Sequence, residues 1–472
     1  MTRPVTNRAL ETLLTEAAYH RSLAAFARQV NRAAAEKYGL VLKYDGASVY
    51  WWLRGRCPEQ PAPELIAEVL AARLGRAVAA GDLGFAALAA DADAQALSFP
   101  TTVPAAIETA AGLWRRLGTT ISSSPALPYS SAPFVASAAE QAGWRWHFDP
   151  ADADVARTAG HPVDVLDVQM LRSCAEQFLD LDRHHGGGHA RAFLGDFLTR
   201  DVAPLLRGRY GDAVGRDLFA VAAELTGMAA FMSYDIGDHG AAQRAFIQAL
   251  RLSKTAGDRL HGAHILANLA TQAIFLHLTG EAVRLARAAI EGAGRRPCAM
   301  VAARLHATAA SAHALAGDRQ GFAQAIARAT RALERAETGP AWTRYFSPAH
   351  LAGAAMRSLL DLGLPGEALR YQHQALDLGP ANTRTRALHT ALTATAHARA
   401  GHIDQAALLG TQALQMARRV RSRRVAARIT LLADVLIPHR PVAEVSVFLD
   451  QLRDQPSSGQ IGQIAGGQPV PG

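Results

Sequence analysis

SYDIGDHGAAQRAFIQALRLS, residues Ser233–Ser253, contains the end of one helix, a glycine turn and the start of a second helix. Gly237 suits the left-handed backbone that terminates a helix. Ala241 and Ala242 open the next helix with small side chains, so a neighbouring helix can approach closely. The same arrangement recurs in LHLTGEAVRLARAAIEGAG (Leu276–Gly294), HALAGDRQGFAQAIARATRAL (His313–Leu333), LDLGLPGEALRYQHQALDLG (Leu360–Gly379) and ARAGHIDQAALLGTQALQMA (Ala398–Ala417). Turn glycines are expected at Gly237, Gly280, Gly317, Gly363 and Gly401, spaced 43, 37, 46 and 38 residues apart. A single helix pair cannot bury its apolar face alone, so the pairs must stack into a solenoid. Residues 166–455 are expected to form this all-α repeat, with a last pair over Arg424–Arg453.

Outward from the repeat, composition divides the rest of the 472-residue chain. Residues 1–90 read as a small helical domain. Residues 91–165 read as one helix, near Val103–Leu117, followed by a linker. The run TTISSSPALPYSSAPF (Thr119–Phe134) carries that linker reading through its serines and prolines. The tail from Pro456 is expected to be disordered. The formal charge of +8 and pI of about 9.7 suit a nucleic-acid partner. The three cysteines, Cys57, Cys174 and Cys298, are far apart and form no CxxC pair, so they indicate neither a zinc ribbon nor a disulfide framework. No apolar run reaches membrane-spanning length, which predicts a cytoplasmic protein without a membrane partner.

In the N-terminal domain, SLAAFARQVNRAAAEKYG (Ser22–Gly39) starts with a serine N-cap and spaces Phe26 and Val30 on one helical face. In ASVYWWLRG, Val49, Trp52 and Leu53 share a face at i, i+3 and i+4. Ala47, Tyr50, Trp51 and Arg54 fall on other faces. A helix started by proline follows, in PAPELIAEVLAARLG.

Short helices of which the third ends in Arg54-Gly55-Arg56 with Pro58 nearby resemble the helix-turn-helix of Cro/repressor-type (XRE-like) regulators. The resemblance implies that this helix enters the DNA major groove. Arg21, Ser22, Lys43, Ala47, Ser48, Tyr50, Trp51, Arg54 and Arg56 would then face DNA, and Phe26, Val30, Val49, Trp52 and Leu53 would form the domain core. The segment EKYGLVLKYD is longer than the tight turn usual in that family. The repeat region is similar to right-handed, tetratricopeptide-like (TPR-like) solenoids of the longer-period kind. The two together resemble actinobacterial transcriptional regulators of development and secondary metabolism. The implied protein is a nucleoid-associated, homodimeric DNA-binding regulator. Its repeat domain would dimerise, sense a peptide, protein or small-molecule effector, or do both. A TPR scaffold that binds no DNA is the alternative reading.

Other motifs carry less. In HHGGGHAR, His185 and His189 have the spacing of a helical metal pair, but glycines lie between them and no metal site is expected. In ARRVRSRRVAAR (Ala417–Arg428), the arginines read as two solvated helix ends flanking a turn or as a second nucleic-acid or acidic-partner patch. No phosphate loop or nucleophile elbow occurs, so neither enzyme activity nor a cofactor is expected.

Overall fold

The computed structural model describes residues 5–38, 40–58, 61–76, 78, 80–85, 94–118, 132–295, 297–379 and 382–454. The regular structure in these residues is helical, in keeping with a chain rich in alanine and leucine. Extended pairing among them is limited to isolated bridges that tie Arg157 and Pro162 to Tyr210 and Arg209. The chain divides into two compact units, Met1–Ser98 and Phe99–Gly472.

The first unit contains α1 (Arg8–Glu16), α2 (Leu23–Tyr38), α3 (Gly46–Trp52) and α4 (Ala62–Leu74), with single helical turns at Tyr19–Arg21 and Ala80–Leu83. Its core gathers Leu10, Leu14, Phe26, Val30, Val49, Trp52, Leu65, Ile66 and Phe85. Asn7, almost fully buried, fastens three elements together. Its Oδ1 caps α1 through the Leu10 amide, its Nδ2 donates to the Leu83 carbonyl, and its backbone amide donates to Leu53 at the end of α3. The chain between α2 and α3 is also tied down. Asn31 of α2 donates to the Tyr44 carbonyl at 2.8 Å and accepts from the Tyr44 amide at 3.1 Å.

The second unit contains the repeat. Its leading helices are α5 (Val103–Gly118), α6 (Ala136–Phe148), α7 (Val165–His185) and α8 (Gly187–Phe197); a π-helical turn at Leu198–Val202 continues α8 into Ala203–Leu206. Helix pairs follow: α9 (Asp212–Asp235) with α10 (His239–Ala256), α11 (Arg259–Phe275) with α12 (Thr279–Gly292), and α13 (Ala299–Leu315) with α14 (Arg319–Glu334). Next come α15 (Pro348–Asp361) with the broken partner α16 (Pro365–Leu369) and α17 (Gln372–Leu376), α18 (Thr383–Arg399) with α19 (Ile403–Ala417), and α20 (Arg423–Leu436) with α21 (Ala443–Arg453). Neighbouring pairs pack on one another in sequence, as in a helical solenoid. Aspartates at Asp238, Asp258 and Asp318 cap the following helices through backbone amides.

Two features differ from the sequence reading. Gly237, Gly317, Gly363 and Gly401 do sit in left-handed turns, but Gly280 lies inside α12. The left-handed residue of that turn is His277, at φ 57°, one of the few non-glycine types that tolerate this region. The second unit also begins at Phe99, well before the first repeat helix. Helix α6 docks on the repeat through Trp146, whose ring covers Gly262 of α11 and Gly292 of α12 so closely that neither position has room for a Cβ. Arg251 and Lys254 of α10 reach back to Asp152 and to the Asp149 carbonyl at 2.8 and 2.6 Å. The stretch 91–165 thus contributes two helices to the second unit. Most of the Pro/Ser-rich run, 119–131, and the tail 455–472 lie outside the described residues.

Candidate functional site

The first helix of each pair turns one face inward, and together with Leu179, Asp182 and Arg183 of α7 these faces line a half-open cavity of about 270 Å³. Helical spacing decides which side chains reach it. On α9 they are Glu224, Met228, Phe231 and Asp235; on α11, His261, His264, Asn268 and Phe275; on α13, Arg304, Thr308 and Ser311. Helix α15 adds His350 and Arg357, α18 adds Arg384, Leu388 and Leu392, and α20 adds Arg424 and Arg428. Each set follows steps of three, four or seven residues, which keep to one helix face. Trp342, Tyr345 and Phe346, from the segment ahead of α15, complete the wall.

Two kinds of polar surface meet there. One is an ion network centred on Asp235, which is fully buried. Its carboxylate accepts from Ser422 Oγ at 2.8 Å and from the Gly187 amide at 3.2 Å, and it pairs with Arg424 at 3.5 Å and Arg384 at 3.7 Å. Arg384 also pairs with Asp182 at 2.7 Å. Burial raises the Asp182 pKa, while the carboxylates hold the Arg384 guanidinium above its usual range despite its own burial. The other is a cluster of neutral imidazoles. His264 lies tilted over Trp342 with ring centroids 4.8 Å apart, and His261 meets the same ring edge to face at 5.3 Å. Burial pushes His261 down to about 4 and His350 down to about 3, and it lowers His264 and His389 as well. Burial also raises Glu224 to about 7, which disfavours the charged form of this wall carboxylate. The wall is therefore aromatic, imidazole-lined and cationic. Among the described residues no cluster of three or more His, Cys, Asp or Glu side chains is placed to hold a metal ion.

Sequence reasoning did not find this cavity. The arginine run Ala417–Arg428 reads as surface, yet it divides. Arg418, Arg419 and Arg421 are exposed, whereas Arg424 and Arg428, four residues apart on α20, face the cavity. That i, i+4 spacing inside a helix was the available signal. The HHGGGHAR glycines also have a packing role: Gly187 starts α8 against the Met232 backbone, with no space for a side chain.

In the first unit, α3 starts at Asp45. Its carboxylate accepts from the Ser48 amide and hydroxyl, both at 2.8 Å, and these bonds lower its pKa. Val49, Trp52 and Leu53 are buried with Phe26 and Val30. Ala47 and Trp51 are exposed; Ser48, Tyr50 and Arg54 are half-buried. The Arg54 guanidinium lies 3.3 Å from the centre of the Tyr50 ring and donates to the Tyr50 carbonyl. Tyr50 and Trp51 meet edge to face. Arg21, Ser22, Lys43 and Arg56 are exposed, and Ser22 Oγ accepts from the Ala25 amide at the start of α2. The Ser48 hydroxyl is engaged with Asp45 rather than free.

Among the described residues, no helix is long and apolar enough to cross a membrane. No curated protein matches the chain. A family model described as the SP15 N-terminal domain matches residues 10–86, which fall within the first unit and include α2, α3 and α4.

Proposed function

We propose that the chain is a sequence-specific DNA-binding regulator in which the N-terminal unit docks α3 in the major groove and the helical repeat dimerises and senses an effector. The observation that carries this reading is the division of two adjacent tryptophans on a seven-residue helix. Trp52 is 3% exposed and locks α3 to the core, while Trp51 is 41% exposed beside Tyr50 and Arg54. An exposed aromatic on a short, firmly anchored helix is costly in water and useful against thymine methyls and sugars. Exposed Arg21, Lys43 and Arg56 supply cations for phosphate contacts, which set register and orientation. At the start of α3 the Asp45 carboxylate already takes the Ser48 amide and hydroxyl and opposes an anion there, so base contacts are assigned to Ala47, Tyr50 and Trp51 rather than to Ser48.

The test is gel retardation of the full chain on the DNA upstream of its own reading frame, at several salt concentrations. Retardation is expected, with affinity falling steeply as salt rises. Trp51→Ala should weaken binding about tenfold, because a base contact contributes ~1–3 kcal/mol. Arg54→Ala should weaken all sequences alike if it serves phosphate. Absence of retardation at low salt would overturn the reading in favour of a scaffold without DNA binding.

A further inference from the structure

The repeat cavity presents six arginines and three carboxylates on its wall. Two of the carboxylates are already taken: Asp182 and Asp235 hold Arg384 and Arg424. The third is Glu224. Arg183 donates to Asn382 and Arg304 to Asn268, Thr308 and Tyr345, all neutral acceptors. Arg357 has one acidic neighbour, Asp361 outside the cavity wall, at 3.7 Å. Arg428 interacts with the same Asp361 at longer range and is opposed by Arg357 and Arg424. Helices α15 and α20 thus bring two guanidinium groups to one wall with a single carboxylate behind them. Arg357 donates to the Ile274 carbonyl, and the same wall carries the apolar side chains of Phe231, Ile274, Phe275, Leu388 and Leu392.

We propose that this cavity binds one small amphipathic anion, its carboxylate or phosphate head set between Arg357 and Arg428 and its apolar body lying along Phe231, Phe275 and Leu388. Guanidinium groups out of bulk water bind such heads through paired, charge-assisted hydrogen bonds. The anion also relieves the repulsion between the two arginines, so it should stabilise the folded chain by mass action. The size agrees: a cavity of about 270 Å³ suits a single small molecule rather than a folded partner. The inference deepens the sensing role proposed above and rests on that role for its purpose, but its geometry belongs to the repeat alone.

Two fluorescent probes with nearly the same rings separate charge from shape in the full-length chain: anilinonaphthalene sulfonate, which is anionic, and phenylnaphthylamine, which is neutral. One sulfonate per chain is expected to bind about tenfold or more tightly than the neutral probe, since one charge-assisted contact contributes on the order of a factor of ten. Arg357→Gln with Arg428→Gln should abolish that preference and leave the neutral probe's affinity unchanged, a built-in check that the cavity is still formed. Dodecanoate and dodecyl phosphate should displace the sulfonate where dodecanol does not, and the better competitor identifies the head group. Equal affinity of the two probes for the unaltered chain would overturn the proposal without any variant. So would a preference that survives the double substitution. Probe binding uses no DNA: retardation without anion preference would sink only this inference, and anion preference without retardation would sink only the regulator.

Discussion

In the N-terminal unit the guanidinium groups of Arg21, Arg28, Arg32 and Arg56 are on exposed residues, whereas in the helical repeat Arg304, Arg357, Arg384, Arg424 and Arg428 turn toward a concave cavity. The same side chain has two physical roles. In water its field is screened within about 10 Å at ordinary salt, and individual ion pairs contribute little. In a concave wall its charge must be answered by a buried carboxylate or left to a ligand. The first arrangement suits a long, repetitive polyanion approached from solvent. The second suits a single small molecule whose charge matches what the wall lacks.

The largest break in this comparison should come from Asp235→Ala. Asp235 holds Arg384, Arg424, Ser422 and the Gly187 amide together while fully buried. Its loss strands Arg424 and leaves Arg384 with Asp182 alone, and breaking such a buried pair costs ~3–5 kcal/mol. The matched change in the first unit is Glu16→Ala, which removes an exposed pair with Arg76 and should cost less than ~1 kcal/mol. Urea unfolding followed by segment-resolved hydrogen exchange reads both. Equal costs would mean that water reaches Asp235 and that the cavity wall behaves as ordinary surface.

Acidification sharpens the same contrast. His239, His261 and His350 are held at about 4, 4 and 3 by burial, and His264 and His389 are also lowered. Their folded-state pKa values lie below those of the unfolded chain, so the stabilisation is complete above pH ~6.5 and is lost as pH falls toward 4. Each fully buried neutral histidine contributes a loss of about 1.4 kcal/mol per pH unit in that window. Glu224 and Asp182 are raised and work in the opposite direction, but the lowered histidines outnumber them, with His189, His306 and His397 lowered as well. The repeat should therefore loosen between pH 6.5 and 5. The first unit, whose single histidine His20 is exposed, should keep its exchange protection. Parallel loss in both units would show that the buried histidines do not set the slope.

The helical pairs were readable because glycine turns and small-residue openings have a direct steric cause. The reading failed at His277, where a histidine takes the left-handed position and the nearby Gly280 imitates it. Periodicity separates Trp52 from Trp51 because on a short helix burial follows three- and four-residue steps. The same reasoning leaves α6 unread: Ala136–Phe148 lies next to a Pro/Ser-rich run, and nothing local reveals that Trp146 will cover Gly262 and Gly292. The cavity was hidden for a deeper reason. Patterning counts arginine as surface, so Arg424 and Arg428 read as solvated helix ends and Arg357 carries no signal. Only the stacking of helices distant in sequence shows that their face is enclosed.

Smaller effects test the aromatic floor of the cavity against the aromatic surface of α3. Tyr234 is buried among Phe231, Phe275 and Arg424, and its hydroxyl has no hydrogen-bond partner among the described residues. An unpaired buried hydroxyl is a penalty, so Tyr234→Phe should leave stability unchanged or raise it by up to ~1 kcal/mol. Trp51→Ala, on the exposed face of α3, should shift stability by no more than ~0.5 kcal/mol even though it removes a much larger side chain. Thermal unfolding of the ligand-free chain decides both. A clear loss of stability in Tyr234→Phe would mean that the hydroxyl is satisfied by water entering beside Arg428, and the anion head would then displace that water rather than enter a dry wall. A clear loss in Trp51→Ala would mean that this ring packs against protein, and it could not also be offered to a groove.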